Sequence, residues 1–144
     1  MRCSEAGFNL EVDLSSGLTE KIESDSNLTQ LYLGGLGTNA KILWDLVGPE
    51  IQPLSPNNVI IFGPGLLTGT LAPGASHTIV TSISPQTHLM AYSIMGNAWG
   101  PELKHAGYDR VVFRGKAPRL VYLWVNNDNV EIRDAEHLRG KGSC

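Results

Sequence analysis

Residues 51–101 read IQPLSPNNVIIFGPGLLTGTLAPGASHTIVTSISPQTHLMAYSIMGNAWGP, and this stretch contains no Asp, Glu, Lys or Arg. The 11 basic and 14 acidic residues of the 144-residue chain all lie outside it. Glycines and hydroxyl side chains interrupt its apolar positions throughout. Glycine lets backbone approach a ligand closely, and a hydroxyl forms hydrogen bonds without a charge to desolvate. The stretch therefore fits either an ordinary core with its turns or a site for a large, rigid, hydrogen-bonding ligand.

The composition indicates one globular domain. Apolar residues make up 42% of the chain and charged residues 17%, and 144 residues are enough to bury a core. The net charge of −3, without a basic patch between aromatic residues, argues against nucleic acid as a partner. Glycine and proline break every apolar run short of the roughly 20 residues that span a membrane, so no membrane partner is expected. Because no signal-peptide pattern is present, the expected location is the cytoplasm.

Hydrophobic periodicity predicts an α+β fold. Alternation over residues 8–14 indicates a half-buried strand, and residues 18–22 could return as a more polar strand after the turn at Ser15-Ser16-Gly17. Helical spacing follows the loop Gly34-Gly35-Leu36-Gly37 and ends at Gly48-Pro49. Further strands are predicted at 58–62, 78–83, 110–113, 120–125 and 130–132, with short helices at 97–105 and 136–140. Mostly hairpin connections with two interposed helices are typical of the α+β class.

The sequence lacks the motifs and residue spacings of common catalytic and metal-binding sites. No G-x-S-x-G elbow is present for a serine nucleophile. His77 and His88 lack a third nearby ligand for zinc, so each is interpreted as a hydrogen-bonded structural residue. Cys3 and Cys144, near the two ends, have no spacing for a metal or a cluster. The tryptophans predicted to pack in the core are Trp44, Trp99 and Trp124.

One glycine-rich motif matches a dinucleotide-binding fingerprint. Gly35-x-Gly37-x-x-Ala40 has the form G-x-G-x-x-A. The fingerprint also requires an acidic residue about 20 positions later, where the charge-free stretch offers none. The dinucleotide interpretation is therefore rejected, although a glycine loop that opens a helix can bind phosphate through its free amides in other folds. Taken by themselves, the residues indicate a domain that could hold a neutral, polar, planar ligand.

A series of motifs in one order carries a family resemblance. The motifs are Leu33-Gly34-Gly35-x-Gly37, Leu54-Ser55-Pro56-x-Asn58, Gly65-Leu66-Leu67-Thr68-Gly69-Thr70, Ala72-Pro73-Gly74, Gly100-Pro101-Glu102-Leu103-Lys104-x-Ala106-Gly107-Tyr108-Asp109, Gly115-Lys116-Ala117, Val121-Tyr122-Leu123-Trp124 and Val130-Glu131-Ile132-Arg133-Asp134-Ala135. Together they resemble the N-terminal part of the aldehyde ferredoxin oxidoreductase family over residues 8–141. The resemblance implies a β-rich α+β base domain. Residues 1–144 would then be a single partial domain, about one half of an internally duplicated unit.

The same resemblance implies a chemistry. Members are cytoplasmic, oxygen-sensitive oxidoreductases that carry tungsten, or sometimes molybdenum, on two pterins beside a [4Fe–4S] cluster. They act on aldehydes or other oxo groups, or on an aromatic acyl-CoA, and they exchange electrons with a ferredoxin-type carrier. A fused heterocycle is well held by close backbone and neutral side chains, which would give the charge-free stretch a purpose. The cluster ligands and catalytic residues lie in later domains of the family, so neither is expected in this chain.

The family motifs imply four cofactor contacts in this sequence. His77 stands where the family usually has an arginine that bridges pterin and cluster, and histidine offers fewer hydrogen bonds than a guanidinium. The family's Asn-Ser-Gly-Gly reads Ile94-Met95-Gly96-Asn97, in which only Gly96 matches. A backbone carbonyl contact at Ile94 would survive the side-chain change, and the loop Gly96-Asn97 would line the pterin. The helix opened at Gly37 is a further candidate contact.

Departures from the family pattern leave several alternatives open. The usual Gly-Gly-Arg-Gly is Gly34-Gly35-Leu36-Gly37 here, a variant that, with Ser84-Pro85-Gln86-Thr87, resembles the tungsten subunit of class II benzoyl-CoA reductases. We expect the chain to be inactive alone and to need downstream domains or a separately encoded subunit. A homodimer would be another way to bury the surface of a half unit, with residues 51–101 near its interface. The alternative functions are a stand-alone binding or assembly module and a non-catalytic remnant of a truncated family member.

Overall fold

The computed structural model describes residues 4–142 as a six-stranded sheet, a two-stranded hairpin, three α-helices and one 3₁₀ turn. The strands are β1 (Phe8–Asp13), β2 (Leu18–Glu23), β3 (Val59–Pro64), β4 (Thr78–Ile83), β5 (Met90–Met95), β6 (Arg110–Arg114), β7 (Val121–Asn126) and β8 (Asn129–Asp134). The helices are α1 (Ser26–Tyr32), α2 (Gly35–Leu46) and α3 (Trp99–His105), and the 3₁₀ turn covers Glu136–Leu138. This arrangement confirms the predicted α+β class.

The large sheet has the strand order β2-β1-β6-β3-β4-β5. Neighbouring strands are antiparallel except β1 and β6, which run parallel. The charge-free stretch, residues 51–101, supplies β3, β4 and β5, so it forms one half of the sheet and one of its two edges. The other edge is β2, whose sequence LTEKIE is rich in charge.

Two layers cover opposite faces of the sheet. The core on the α2 face consists of Leu43, Val59, Ile61 and Val112. The core on the opposite face, under α3 and the β7–β8 hairpin, consists of Leu10, Val12, Leu103, Tyr108 and Val111. The hairpin is fixed to this face by the Tyr108 hydroxyl, which donates to the Asn127 carbonyl at 3.1 Å, and by the Lys21–Asp128 ion pair. Both layers stop short of β5, whose residues are exposed except for the half-buried Met95.

Two elements are missing from the sequence-based expectations. β5 reads MAYSIM and lacks the apolar–polar alternation of a half-buried strand, because an edge strand with both faces exposed has no buried face to impose one. α1 is only seven residues long, and its sequence signal is the N-cap Asp25, whose carboxylate accepts a hydrogen bond from the Asn27 amide at 2.8 Å. Both are short elements whose patterns are weak on their own.

Several predicted details are wrong. Trp44 and Trp99 are 82% and 40% exposed, so neither is a core residue. Trp44 follows the buried Leu43 along α2 and therefore lies on a face of the helix turned away from the sheet. β3 continues through Gly63 and Pro64 rather than ending before them, and residues 136–140 contain a short 3₁₀ turn rather than an α-helix. Cys3 and Cys144 lie outside the described residues.

Candidate functional site

Several glycine-containing loops meet at one end of the sheet. Gly34, which precedes α2, forms an antiparallel bridge with Gly65, just after β3. The Gly65 amide donates a hydrogen bond to the His77 carbonyl at 3.2 Å. The last pair of β4 and β5 is Thr78–Met95, so His77 and Gly96 lie side by side one residue beyond it. We call this set the glycine corner: Gly34, Gly65, His77 and Gly96.

The backbone amide and carbonyl of Ile94 point away from β4, toward the outer edge of the sheet. In an antiparallel pair, opposed residues alternate between those that exchange hydrogen bonds and those whose backbone groups point outward. The Ser84 amide donates to the Leu89 carbonyl at 2.9 Å, which makes this pair a hydrogen-bonded one. Every second pair along the register is then also hydrogen-bonded, and Thr78–Met95 is one of these pairs. The backbone of Met95 therefore faces β4, whereas that of Ile94 faces away from it. The Ile94 carbonyl is therefore directed toward the free edge of β5, two residues before Gly96.

His77 combines a fixed backbone with an exposed side chain. Its carbonyl accepts hydrogen bonds from the Gly65 amide and from the Thr68 hydroxyl, the latter at 2.9 Å. The imidazole is exposed, and within residues 4–142 it has no hydrogen-bond partner. His88 is also exposed, in the β4–β5 turn at the opposite end of the hairpin, with φ of 57°. The interpretation of the two histidines as hydrogen-bonded structural residues is therefore wrong, and only His77 belongs to the glycine corner.

Glycines of the charge-free stretch fall into two groups. A Cβ atom on Gly63 would lie 2.2 Å from Asn39 Oδ1, and one on Gly100 would lie 2.4 Å from Thr78 Oγ1, so both positions are filled by the protein itself. The same holds for Gly37 within α2, where a Cβ would meet the Tyr32 carbonyl at 2.3 Å. Gly96 has open space around it, and a Cβ atom there would meet nothing within 4 Å. Of these four glycines, only Gly96 leaves room for a ligand.

Asn97 shapes the loop that follows Gly96. Its φ of 81° lies in the left-handed region, which asparagine tolerates better than most residues. Its Oδ1 accepts a hydrogen bond from the Ala98 amide at 2.7 Å, immediately before α3 begins. The side-chain oxygen is thus committed to the loop, whereas the side-chain amide has no partner within the described residues.

A cleft of about 820 Å³ opens beside this loop, on the face that carries α3 and the hairpin. Aromatic side chains supply much of its wall, and they are Phe62, Trp99, Phe113, Tyr122 and Trp124. Phe62 and Trp99 pack with ring centroids 5.5 Å apart. The lining also includes Met95, Gly96 and Asn97, together with the polar Glu102 and His105. The cleft suits a planar group with polar edges, and sequence reasoning missed it because strands distant in sequence bring its aromatic residues together.

The motif Gly100 to Asp109 has a structural role. Lys104 Nζ donates to Asp109 Oδ1 at 2.8 Å, and both side chains are buried. Asp109 also accepts hydrogen bonds from the amides of Ala6 and Gly7 and from the Ser24 hydroxyl, each at 2.8 Å. Burial by itself raises the pKa of the Asp109 carboxyl, but the bond and charge of Lys104 and the two amides together lower that pKa below its ordinary value. Lys104 and Asp109 of this motif thus tie the N-terminal segment to α3, whereas Glu102 and His105 of the same motif line the cleft.

Residues 4–142 offer neither a ready metal site nor a membrane-spanning helix. They contain no group of three or more His, Cys, Asp or Glu residues placed to hold a metal ion. Within the same range, no helix is both long and apolar enough to cross a bilayer.

A family model matches nearly the whole chain. It describes the aldehyde ferredoxin oxidoreductase N-terminal domain and covers residues 9–144, so the chain belongs to this family. The tungsten-containing aldehyde ferredoxin oxidoreductase of Pyrococcus furiosus is 41% identical over 136 residues. The aliphatic sulfonate oxidoreductase WOR-like subunit of the same organism is 38% identical over 139 residues. Each alignment covers 94% of this chain and 22% of the relative.

A solved structure shares the same fold. The active-site complex BamBC of benzoyl-coenzyme A reductase, determined with 1,5-dienoyl-CoA, contains a chain that is 63% identical with a TM-score of 0.96. The match covers 99% of this chain and 22% of that chain. These findings confirm the family resemblance inferred from the motifs, including its benzoyl-CoA reductase variant. They also show that the chain spans 22% of the length of these much longer relatives.

Proposed function

We propose that residues 1–144 are the N-terminal, cofactor-contacting domain of a tungsten, or molybdenum, bis-pterin oxidoreductase that also carries a [4Fe–4S] cluster. The observation that carries this proposal is the 63% identity and TM-score of 0.96, over 99% of the chain, with a chain of the benzoyl-CoA reductase complex. The substrate class it favours is an aromatic acyl-CoA. Aldehydes are the second candidate, because the aldehyde ferredoxin oxidoreductase of Pyrococcus furiosus is 41% identical.

The glycine corner fits a fused heterocycle with many donors and acceptors. Gly96 leaves open space for a ring system, and the outward Ile94 carbonyl would accept a hydrogen bond from it. The exposed imidazole of His77 would donate one hydrogen bond when neutral and two when protonated. Asn97 would keep the loop open through its bond to the Ala98 amide. The metal centre would supply the redox chemistry when bound, and these residues would hold and orient its organic part.

The remaining parts of the enzyme are assigned to other segments. The cluster ligands, the acid–base residues and the substrate pocket would lie in downstream domains or in a separately encoded subunit. A ferredoxin-type carrier would supply electrons to the assembled, oxygen-sensitive enzyme in the cytoplasm. This chain alone would then be inactive.

A stand-alone binding or assembly module is the second candidate function. The feature that favours it is His77, which stands where the family resemblance implies an arginine and which offers fewer hydrogen bonds than a guanidinium. In that case the glycine corner would be a remnant that no longer retains the cofactor. The two candidates differ in whether the domain supports catalysis when its missing neighbours are supplied.

The experiment is a hybrid in which this chain replaces the matched segment of the benzoyl-CoA reductase chain. The hybrid complex is purified without oxygen and assayed with 1,5-dienoyl-CoA and with an aldehyde. We expect acyl-CoA turnover within about tenfold of the parent, a loss of no more than roughly 1.4 kcal/mol in transition-state stabilisation. A folded hybrid that turns over neither substrate would contradict the proposal and favour the binding module. Turnover of the aldehyde alone would overturn the acyl-CoA assignment.

A further inference from the structure

The two edges of the large sheet are built differently. An exposed edge strand presents unpaired amides and carbonyls, and proteins normally protect it with charge, proline, a bulge or a covering element. β2 follows this rule, since Glu20, Lys21 and Glu23 lie along it. β5 does not, because MAYSIM contains no charge and no proline, and all six of its residues pair with β4 in continuous register. Within residues 4–142, nothing covers β5 on its outer side.

The free backbone groups and the large exposed side chains of β5 belong to the same residues. The register that directs Ile94 outward also directs Met90 and Tyr92 outward, whereas the alternate residues bond to β4. The exposed fractions of these side chains are 44% for Met90, 56% for Tyr92 and 56% for Ile94. They lie on the sheet face of Ile79, Thr81 and Ile83, beyond the part covered by α2. A strand added to this edge would therefore gain backbone hydrogen bonds and three apolar neighbours.

We infer that the outer edge of β5 is completed by an uncharged β-strand from the rest of the full-length polypeptide. The chain spans 22% of the relatives, and its fold matches that of a segment embedded in a much longer chain with a TM-score of 0.96. The partner strand is assigned to the part of the polypeptide outside residues 1–144, and this inference rests on the proposed function in that respect. Pairing runs along Met90 and Tyr92 and leaves the Ile94 carbonyl for the cofactor. A cross-strand neighbour of Tyr92 is expected to be β-branched or aromatic.

Hydrogen–deuterium exchange at single-residue resolution tests this pairing. In the 144-residue chain at low micromolar concentration, we expect fast exchange at the amides of Met90 and Tyr92 and slow exchange at those of Ala91 and Ser93. In the hybrid with the benzoyl-CoA reductase chain, exchange at Met90 and Tyr92 should slow by at least about 100-fold. Unchanged exchange at these two amides in the hybrid would overturn the inference. Protection in the 144-residue chain that increases with concentration, together with a dimer by sedimentation, would overturn it in favour of a second copy.

A pair of variants at Tyr92 separates the contribution of the backbone amide to the strand pairing from that of the side chain. Tyr92→Pro removes the ring and the outward amide, and proline is tolerated on an edge strand. Tyr92→Thr removes the ring but keeps the amide. In the hybrid, protection at Met90 should be lost with Tyr92→Pro and kept with Tyr92→Thr. Equal protection in both variants would overturn the inference.

Tungsten content of the same hybrid keeps the two proposals distinguishable. A hybrid that contains tungsten but leaves the β5 edge in fast exchange would overturn the strand pairing alone. A hybrid with a protected edge and no tungsten would support the strand pairing and overturn the proposed function.

Discussion

At the scale of single residues, glycine serves two purposes in the charge-free stretch. Gly63 and Gly100 allow two parts of the protein to touch, since a Cβ atom on either would overlap a neighbouring side chain. A Cβ atom on Gly96 would meet nothing within 4 Å, and Gly96 lines the aromatic cleft. The sequence alone leaves open whether these glycines serve the core and its turns or a ligand, and only the three-dimensional contacts separate packing from access.

The first prediction compares alanine at these two kinds of glycine. Gly63→Ala should lower the free energy of unfolding by about 1–3 kcal/mol, because the new methyl group overlaps the Asn39 amide. Gly96→Ala should change it by less than about 0.5 kcal/mol and should reduce tungsten retention in the hybrid. Urea unfolding of the chain and metal analysis of the hybrid measure the two effects. Equal tungsten in the Gly96→Ala and unmodified hybrids would exclude Gly96 as a close contact.

The second prediction concerns His77. If its imidazole bonds to the cofactor, His77→Ala should reduce tungsten retention in the hybrid more than His88→Ala, which lies at the far end of the same hairpin. His77→Arg should retain at least as much tungsten as the unmodified hybrid, because a guanidinium offers more donors in a planar fork. The measurement is the tungsten content of the three variant hybrids at equal protein concentration. The same tungsten content in all three would make His77 an ordinary surface residue.

The third prediction concerns Asp109, whose lowered pKa makes it a contributor to stability. A carboxyl with a folded-state pKa below 3.8 stabilises the fold above its ordinary pKa, and this stability is lost as pH falls through the folded-state value. Asp109→Asn leaves the largely buried Lys104 ammonium with the Ser4 carbonyl but without an opposite charge, and should cost about 3–5 kcal/mol at neutral pH. Denaturant unfolding between roughly pH 7 and pH 2 should show a smaller acid-side loss for the variant than for the wild type. Parallel pH profiles would contradict the assigned role.

At the scale of elements, what the sequence could predict depends on how each element is buried. β1 has one buried side and a clear alternation, so its position follows from periodicity, whereas β4 is recognised by its β-branched composition. β5 escapes the same reasoning because none of its residues is fully buried. The candidate site shows the same limit. The motif match singled out His77, Ile94, Gly96 and Asn97, but their meeting at one corner depends on the β4–β5 register and the Gly34–Gly65 bridge.

The fourth prediction concerns the attachment of the β7–β8 hairpin, which meets the main sheet through side chains. Tyr108→Phe removes the hydrogen bond from its hydroxyl to the Asn127 carbonyl and keeps the buried ring. We expect a loss of about 1 kcal/mol in the free energy of unfolding and faster amide exchange in the hairpin. Tyr32→Phe, at a partly exposed position, is the control and should be neutral. A Tyr108→Phe chain as stable as wild type would show that the hydroxyl bond does not contribute to holding the hairpin.

At the scale of the whole molecule, one edge of the large sheet is protected by charge and the other is exposed and uncharged. Its β2 edge is charged, and α2 on one face and α3 with the hairpin on the other cover the sheet around β3 and β6. Its β5 edge, the glycine corner and the aromatic cleft all lie in or beside the charge-free stretch. This asymmetry agrees with the proposed function, since the relatives are more than four times longer than this chain.

The fifth prediction concerns the iron–sulfur cluster. The sequence contains two cysteines, Cys3 and Cys144, whereas a [4Fe–4S] cluster is commonly held by four thiolates. Anaerobic reconstitution of the 144-residue chain with iron and sulfide should therefore give no stoichiometric cluster. Broad visible absorption with about four irons per monomer would contradict the assignment of the cluster to other domains.

The most direct test of whether this domain contacts a tungsten cofactor is the tungsten-to-protein ratio of the hybrid. The hybrid and its benzoyl-CoA reductase parent are produced in the same tungstate-supplemented culture, purified anaerobically and analysed by mass spectrometry of the metal. We expect a ratio close to that of the parent for the unmodified hybrid and a clearly lower ratio for Gly96→Ala. A folded, soluble hybrid without tungsten, beside a fully loaded parent, would mean that the domain does not hold the cofactor.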